Sequence, residues 1–295
     1  MLPIHQSHNV FSAQATLGEG PLWDEQAQAL WWIDIEVGLV FRYDPANQVN
    51  DRFEVGQRVG TIVLDSAGGI LLAVANGFAR FDPTSQALVI INDPEADLSE
   101  NRFNDGKCDP AGRFWAGTMN LDPGNHTTGA LYSLDSELSV RKHLSDVGVS
   151  NGIVWSADAK TMYYADSMSG VVDAFDYDIH QGTISNRRSV FHVPDELGAA
   201  DGMSIDAEDR LWVAFWGGGC VGCIDPHSGQ LLSKIEVPVE QPTACAFGGS
   251  DLRDLYITSA RHALTDAQLA KQPEAGDLFV ARVEVPGVVS PRFKG

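Results

Sequence analysis

The sequence predicts an all-β fold, a six-bladed β-propeller that is closed by an N-terminal strand. Two observations lead to this prediction. Short apolar runs rich in Val, Ile, Tyr and Trp alternate with Gly, Asp, Asn and Pro, whereas helical periodicity is nearly absent. In addition, a pattern of three strand-like segments separated by turns occurs six times at a regular spacing, which is typical of propeller blades.

Each copy of the repeat begins with a short apolar strand, passes through a turn into an aromatic-rich strand, and ends in a third strand. The predicted strands of the successive copies are 21–24, 30–34 and 40–45; 62–65, 69–73 and 78–83; 107–110, 113–117 and 130–135; 153–156, 162–164 and 172–176; 203–206, 211–214 and 222–226; and 245–248, 255–258 and 277–281. The first strands of the six copies end at Asp24, Asp65, Asp109, Ser156, Asp206 and Gly248. These end points are roughly 41, 44, 47, 50 and 42 residues apart, so each copy has the length of one blade.

The length of the chain agrees with a ring of six blades. Six copies of about 45 residues account for about 270 of the 295 residues, so residues 1–295 are predicted to form a single domain. The strand-like segment Asn9–Thr16 precedes the first copy, and we expect it to form the outer strand of the last blade and close the ring. A linear solenoid is the alternative architecture, but the terminal repeats lack the polar caps that a solenoid needs.

The charge of the chain excludes some classes of partner. Forty Asp and Glu against twenty Lys and Arg give a formal net charge of −20. Such a field repels phosphate backbones and anionic lipids, so we expect neither nucleic acid nor membrane as a partner.

Targeting signals are absent from the sequence, which makes a cytoplasmic location the expectation. The segment Met1–Thr16 has neither a cationic start nor an apolar core, and no stretch is long and apolar enough to span a bilayer.

Four cysteines are too few for a disulfide framework. The Cys220-Val-Gly-Cys223 motif lacks a second pair of zinc ligands, so both cysteines are expected to be packing residues.

One position of the repeat collects the unusual polar residues. Five residues before each end point the sequence has Glu19, Gly60, Asn104, Asn151, Asp201 and Thr243. The first strand of a propeller blade lies nearest the axis, so residues just before it should meet at one mouth of the central channel. Four of the six carry carboxylate or amide oxygens. Asn-Gly and Asp-Gly are also ordinary turn formers, which is the alternative interpretation.

Carboxylates that crowd around an axis repel one another unless a cation compensates them. Carboxylate and amide oxygens are hard ligands, which suit Ca²⁺, Mg²⁺ or Mn²⁺. Zn²⁺ and Fe²⁺ could also bind, but no His or Cys occurs at this position of the repeat to favour them. The sequence therefore predicts one divalent metal ion, whose identity it leaves open.

Other polar residues are candidates for contacts with a substrate. Arg102 lies two residues before Asn104 and could bind a polar substrate or an oxyanion. The alternative for Arg102 is a local salt bridge to Glu100 or Asp105. The loop at 120–129 interrupts the third copy and contains Asn120, Asp122 and His126, which either line the mouth or are solvated.

Six motifs resemble those of the regucalcin, senescence marker protein and gluconolactonase family. In order they are Leu17-Gly-Glu-Gly-Pro21, Arg102-Phe-Asn-Asp-Gly-Lys107, Gly117-Thr-Met119, Ser150-Asn-Gly152, Asp201-Gly-Met203 and Thr258-Ser-Ala-Arg261. The resemblance extends from about residue 17 to about residue 281, and the order and spacing of the motifs make it specific.

This resemblance implies a six-bladed propeller with one axial divalent metal ion and the hydrolysis of sugar lactones. It implies Glu19, Asn151 and Asp201 as metal ligands, with Asp201 also as the catalytic acid and base. It implies Arg102 and Asn104 as substrate contacts. Animal members of the family have a substrate-binding glutamate where this chain has the shorter Asp122, a difference that bears on which sugar is bound.

We therefore predict a metal-dependent hydrolase that opens an aldonolactone, with the metal ion as Lewis acid and Asp201 as general acid and base. The absence of a Gly-x-Ser-x-Gly motif disfavours a serine hydrolase. Two alternatives remain: an esterase of the phosphotriesterase or paraoxonase type, and a calcium-binding propeller without enzymatic activity. The sequence specifies neither the sugar, the physiological metal ion, the roles of loops 120–129 and 260–276, nor whether the protein is a monomer or a dimer.

Overall fold

The computed structural model of the protein describes residues 2–122, 124 and 126–295. Residues 123 and 125 of the loop at 120–129, as well as Met1, lie outside the described residues. In chain order the strands are β1 (Ile4–Gln6), β2 (His8–Phe11), β3 (Gly18–Asp24), β4 (Ala29–Asp34), β5 (Leu39–Asp44), β6 (Val49–Glu54), β7 (Val59–Leu64), β8 (Ile70–Val74), β9 (Gly77–Asp82), β10 (Ala87–Asn92), β11 (Asn101–Cys108), β12 (Phe114–Asn120), β13 (Gly129–Leu134), β14 (Val140–Val147), β15 (Ser150–Trp155), β16 (Thr161–Asp166), β17 (Val171–Asp178), β18 (Thr183–His192), β19 (Gly198–Ile205), β20 (Leu211–Gly217), β21 (Cys220–Asp225), β22 (Gln230–Glu236), β23 (Pro242–Gly248), β24 (Asp254–Ser259) and β25 (Leu278–Arg282).

The described residues form six sheets arranged as the blades of a propeller, which confirms the predicted fold class. The first five blades contain β3–β6, β7–β10, β11–β14, β15–β18 and β19–β22, each an antiparallel sheet in chain order. The sixth blade contains β23, β24 and β25 with β2 as its outer strand. The first strands of successive blades contact one another, and that of the sixth blade contacts that of the first, so the ring is closed.

The N-terminal segment closes the ring as the sequence predicted, although its strands differ from the predicted range. Strand β2 runs from His8 to Phe11 rather than from Asn9 to Thr16, and it pairs antiparallel with β25. Strand β1, which was not predicted, pairs parallel with β22 and adds a fifth strand to the fifth blade. The N-terminal segment therefore joins the fifth and sixth blades, next to the point where the sixth blade closes the ring onto the first.

Helical segments are short in the described part of the chain. Two 3₁₀ turns cover Ser167–Ser169 and Asp195–Leu197, and a single α-helical turn, α1, covers Asp266–Leu269. None of these helices combines the length and the apolar character needed to cross a membrane.

The hydrophobic core is divided among the interfaces between neighbouring blades. Across the described residues there are six clusters of buried apolar side chains, one for each pair of adjacent blades. The four cysteine thiols are free and buried. Cys220 packs between the fourth and fifth blades and Cys223 between the fifth and sixth, so these two cysteines are packing residues on opposite faces of β21.

The segment 284–295 crosses the end of the propeller where the inner strands finish. Gly287 pairs with Asp206 of the fifth blade, and Arg292 forms an ion pair with Asp24 of the first blade at 2.6 Å. Phe293 is fully buried and pairs with Asp65 of the second blade. The C-terminal segment thereby links blades that are not neighbours in the ring.

Candidate active site at the mouth of the central channel

The inner strand of each blade has a β-bulge at the repeat position that the sequence singled out. The pairing register shifts at Glu19/Leu22, Val59/Thr61, Phe103/Gly106, Ser150/Ile153, Ala200/Met203 and Pro242/Ala244. A bulge places two residues opposite one and changes the direction of the side chain at that point. The singled-out residues therefore lie within the inner strands, at or beside bulges, and not before the strands as the sequence suggested.

Four of these residues, Glu19, Asn104, Asn151 and Asp201, line one cavity of about 270 Å³. The complete lining is Leu17, Glu19, Arg102, Asn104, Met119, Val149, Asn151, Ser167, Ala199, Asp201, Trp216 and His262. The four polar side chains come from four different blades, so the propeller and its bulges bring together residues that are far apart in sequence.

The other two positions have no side chain in this cavity. Gly60 has no room for one, since a Cβ there would lie 2.5 Å from the carbonyl oxygen of Asn104. Thr243 is fully buried, and its hydroxyl lies 2.8 Å from that of Thr258. The Thr243 hydroxyl also donates to the carbonyl oxygen of Gly18 on the first blade, so these two positions pack adjacent blades together.

The carboxyl groups of the site are buried and influence one another. Burial, followed by the charge of Asp105, raises the pKa of Glu19 to about 8. Burial, followed by the charges of Glu19 and Asp105, raises the pKa of Asp201 well above its usual range. Asp105 itself lies deeper in the channel, beside Lys107, whose ammonium donates a hydrogen bond to the carbonyl oxygen of Met203.

Below the cavity the channel is filled. A gap of only about 10 Å³ remains at the level of Asp105 and Lys107. At the far end, Leu22, Trp155 and Ile205 line a separate apolar cavity of about 170 Å³, which Val288 and Val289 of the C-terminal segment border. The two cavities share no lining residue.

A directional chain of hydrogen bonds runs along the wall of the site. Arg102 Nη1 donates to Asn104 Oδ1 at 2.7 Å, and Asn104 Nδ2 donates to Asn151 Oδ1 at 3.0 Å. Asn151 Nδ2 donates to Ser167 Oγ at 2.7 Å, and Ser167 Oγ donates to the carbonyl oxygen of Ala200 at 2.6 Å. This series of hydrogen bonds thus connects the third, fourth and fifth blades.

Arg102 is a buried cation in the wall of the cavity. Burial lowers the pKa of Arg102 to about 10, so the guanidinium is charged at neutral pH. Among the residues that the structure describes, no carboxylate lies within salt-bridge distance of Arg102. Its Nη1 donates instead to Asn104 and to the carbonyl oxygen of Phe103. The local salt bridge that the sequence allowed is therefore not formed.

Asn104 has little hydrogen-bonding capacity left for a ligand. Its Nδ2 donates to the carbonyl oxygen of Ser150 at 2.8 Å and to Asn151 Oδ1, which uses both amide hydrogens. Its Oδ1 accepts from Arg102. In this arrangement Asn104 chiefly orients its neighbours.

The residues at the mouth fit a divalent cation by the chemistry of their donor atoms. Glu19 and Asp201 offer carboxylate oxygens and Asn151 offers a carbonyl oxygen, which are hard ligands. Burial, and after it the charges of neighbouring carboxylates, raise the pKa values of Glu19 and Asp201, and a bound cation would offset both effects. Within the described ranges, no group of three or more His, Cys, Asp or Glu side chains is placed to hold a metal ion, so the third protein ligand would have to be the amide.

Asp122 and His126 lie apart from these residues. Asp122 is exposed, its backbone N–H donates to Asn120 Oδ1 at 2.9 Å, and its side chain does not line the cavity. His126 is also exposed and outside the lining. Their contribution to substrate binding stays a prediction, in a loop of which residues 123 and 125 are outside the described part.

Several lining residues were missed by reasoning from the sequence. Ser167 follows the second strand of its blade, Trp216 lies in the second strand of the next, and His262 follows β24. None of them shares the repeat position of the polar residues on the inner strands, so the repeat carried no signal for them. His262 does come from the loop at 260–276, whose role the sequence left open.

Comparisons with known proteins agree with this fold. Residues 17–261 match the sequence pattern of the SMP-30/gluconolactonase/LRE-like region. Regucalcin of Bos taurus is 41% identical over 266 residues, which cover 89% of each chain. The structure is similar to that of a calcium-binding protein, regucalcin, from Agrobacterium tumefaciens, with a TM-score of 0.94, 27% identity and 99% of both chains covered. It is also similar to a luciferin-regenerating enzyme, with a TM-score of 0.90, 33% identity and 96% of both chains covered.

Proposed function

Because the chain belongs to the SMP-30/gluconolactonase/LRE-like family, we propose that it is a lactonase that hydrolyses a sugar lactone to the open-chain sugar acid. One observation carries the proposal: a single cavity brings a buried carboxyl of raised pKa, Asp201, together with a buried guanidinium, Arg102. Acyl transfer to water needs both a group that accepts a proton and a group that stabilises negative charge.

The cavity suits a small polar ring. Its volume of about 270 Å³ is of the size that a single sugar lactone requires, and its lining combines polar groups with the apolar surfaces of Leu17, Met119 and Trp216. Trp216 offers an aromatic face on the side of the fifth blade. The N–H groups of Arg102 other than those on Nη1 would bind ring hydroxyls or the carbonyl oxygen.

Asp201 is the proposed general base and acid. With a cation bound at the site, Asp201 would be ionised at neutral pH and able to accept a proton from water. It takes a proton from water as the oxygen of that water bonds to the carbonyl carbon. It returns the proton to the ring oxygen as the acyl–oxygen bond breaks, so the products are a carboxylic acid and a free hydroxyl group. Arg102 stabilises the negative charge that develops on the carbonyl oxygen.

Glu19, Asn151 and Asp201 are the residues that would hold a divalent cation, for which Ca²⁺, Mg²⁺, Mn²⁺, Zn²⁺ and Fe²⁺ are the candidates. A bound cation supplies Lewis-acid polarisation of an oxygen and compensates the two carboxylates. The name of the Agrobacterium relative, a calcium-binding protein, supports such a site.

The test is a panel of aldonolactones, among them gluconolactone, xylonolactone, arabinonolactone and galactonolactone, with purified protein. We expect hydrolysis of at least one of them, a loss of rate on chelation, and recovery with one of the five cations. Asp201→Asn should lower kcat by about 100-fold or more, because the amide cannot accept the proton. Asp225→Asn, at an exposed turn of the same blade, is the matched control and should leave the rate unchanged.

Wild-type rates that neither chelation nor Asp201→Asn changes would contradict this mechanism. His262 lines the cavity, and a histidine beside a cation is typical of phosphotriesterase-like propellers, so the esterase is the second candidate function. Paraoxon assayed beside the lactones distinguishes the two. Tight calcium binding without turnover of any substrate would instead favour a calcium-binding propeller.

A further inference from the structure

The hydrogen-bond chain at the site has a polarity that its two ends fix. Arg102 begins the chain and its guanidinium can only donate, so the oxygen of the Asn104 amide must face it. The carbonyl oxygen of Ala200 ends the chain and can only accept, so Ser167 must donate to it. With both ends fixed, every amide and hydroxyl between them has one orientation in which all partners are satisfied.

This polarity determines which atom of Asn151 is offered as a ligand. Asn151 Nδ2 donates to Ser167 Oγ at 2.7 Å, while Oδ1 accepts from Asn104 and keeps its second lone pair. Rotating the amide by half a turn would set its N–H groups against those of Asn104 and deprive Ser167 of its donor. The carbonyl oxygen, rather than the NH₂ group, is thereby held in the orientation that a cation needs.

We infer that Ser167 is a positioning residue that locks the Asn151 amide with its carbonyl oxygen available to a divalent cation. The inference rests on the proposed cation site of Glu19, Asn151 and Asp201. Partners that orient metal ligands in this way commonly contribute 10- to 100-fold in metal affinity.

The backbone around Ser167 is rigid enough for this role. Ser167 N donates to the carbonyl oxygen of Val149 at 3.1 Å. The carboxylate of Asp166 accepts from the N–H groups of Gly148, Val149 and Met168, which fixes the start of the 3₁₀ turn. The hydroxyl of Ser167 is therefore presented from a turn that is tied on both sides.

Ser167 also joins two candidate ligands that come from different blades. Its hydroxyl accepts a hydrogen bond from Asn151 on the fourth blade and donates one to the carbonyl oxygen of Ala200, which directly precedes Asp201 on the fifth blade. One hydroxyl thus sets the orientation of one ligand and ties it to the strand that carries another. Alanine at this position would leave Asn151 Nδ2 without its acceptor and would loosen both.

The experiment is calorimetric titration of the chelator-treated full-length protein with Ca²⁺ and, separately, with Mn²⁺. We expect Ser167→Ala to weaken the Kd by about 10-fold and Ser167→Thr, which keeps the hydroxyl, to restore it to within about 3-fold of wild type. As a control, the same Ser167→Ala substitution is made in the Asn151→Asp variant. The carboxylate of that variant has two equivalent oxygens and needs no fixed orientation. There Ser167→Ala should change the Kd by less than about 2-fold, so the two substitutions are coupled.

The outcomes separate this inference from the proposed function. If wild type binds and Ser167→Ala binds equally well, Ser167 has no positioning role, and the cation site stands. If Ser167→Ala lowers Tm, but weakens the Kd equally in both backgrounds, the role of Ser167 is structural and the inference is wrong. If wild type binds neither cation, the cation site fails and the inference fails with it. The inference is supported if Ser167→Ala weakens cation binding by about 10-fold when residue 151 is Asn but not when it is Asp, and if Ser167→Thr restores the Kd.

Discussion

His143 illustrates how a single buried ring makes the stability of this protein depend on pH. Its imidazole stacks on Trp115 with ring centroids 4.0 Å apart, and its Nε2 lies 2.8 Å from Ser133 Oγ. Burial, followed by the charge of Arg141, lowers the pKa of His143 to about 4. The folded protein therefore keeps this ring neutral at pH values where an unfolded chain has protonated it.

The sign of the effect follows from proton binding. Between pH 6.5 and about 4 the unfolded state holds the proton and the folded state does not, so stability falls as the pH is lowered through this range. We expect roughly 1–2 kcal/mol from this residue, less than the full shift would give because the ring is only partly buried.

His143→Phe keeps the stacked ring but cannot titrate. Urea unfolding at pH 7 and at pH 4.5 should show a smaller loss of stability for His143→Phe than for wild type. Equal losses in the two proteins would mean that His143 contributes nothing to the acid sensitivity. Carboxylates elsewhere affect both proteins alike, so the comparison isolates the histidine.

The residues of the site that could be predicted from the sequence lie on the inner strands, at the repeat position or, for Arg102, two residues before it. Glu19, Asn104, Asn151 and Asp201 share one repeat position, and all four line the cavity. The fine role of Asn104 was not predictable, because its amide hydrogens are used by partners on another blade. Ser167, Trp216 and His262 reach the cavity from outside the inner strands, where side-chain direction depends on tertiary packing.

Among the elements, a buried aspartate holds the turn after the inner strand in the second, third and fifth blades. Asp206 is fully buried, and its carboxylate accepts from Arg210 Nε at 2.8 Å and from Trp212 Nε1 at 2.9 Å. It also accepts from the backbone N–H groups of Glu208 and Arg210. Asp109 has the same partners at the same spacing in the third blade. This carboxylate joins the turn to the second strand.

We expect Asp206→Ala to lower the free energy of unfolding by about 2–4 kcal/mol, because it leaves a buried indole N–H and two backbone N–H groups without their acceptor and removes one partner of the half-buried Arg210. Asp225→Ala is the matched control, since Asp225 also holds a turn in the fifth blade but at the surface. It should cost about 1 kcal/mol or less. Urea unfolding midpoints give both values, and equal losses would contradict the role assigned to Asp206.

The first three strands of each blade could be predicted from the sequence, but neither the outer strands β6, β10, β14, β18 and β22 nor the bulges could. Periodicity and turn residues reveal where a strand begins and ends. A bulge depends on how two strands are paired, and the pairing is set by packing against neighbouring blades. Four of the six singled-out residues therefore line the cavity, but the repeat placed them just outside the strands to which they belong.

At the scale of the whole molecule, the ring depends on strands from distant parts of the chain. Without β2, the strand β25 would become the edge of the sixth blade. An uncovered edge offers unpaired backbone groups to other molecules and promotes association. Strand β1 is exposed and lies on the outside of the fifth blade, so it protects no core.

Deletion of residues 1–11 should therefore lower Tm by 10 °C or more, on the order of several kcal/mol, and cause aggregation. Deletion of residues 1–6, which removes β1 but keeps β2, should change Tm by only about 2 °C. Thermal unfolding followed by circular dichroism, together with size-exclusion chromatography, measures both effects. Similar Tm values for the two deletions would show that the pairing of β2 with β25 is not needed to keep the ring closed.

The filled channel also has a kinetic consequence. Because only about 10 Å³ is free beneath the cavity, a sugar acid could not pass through the molecule, and under the proposed activity product would leave by the opening through which substrate enters. Substrate and product therefore exclude each other from a single passage. If the chain is the proposed lactonase, the released acid should inhibit it competitively, and progress curves should slow earlier than depletion of the lactone alone would cause.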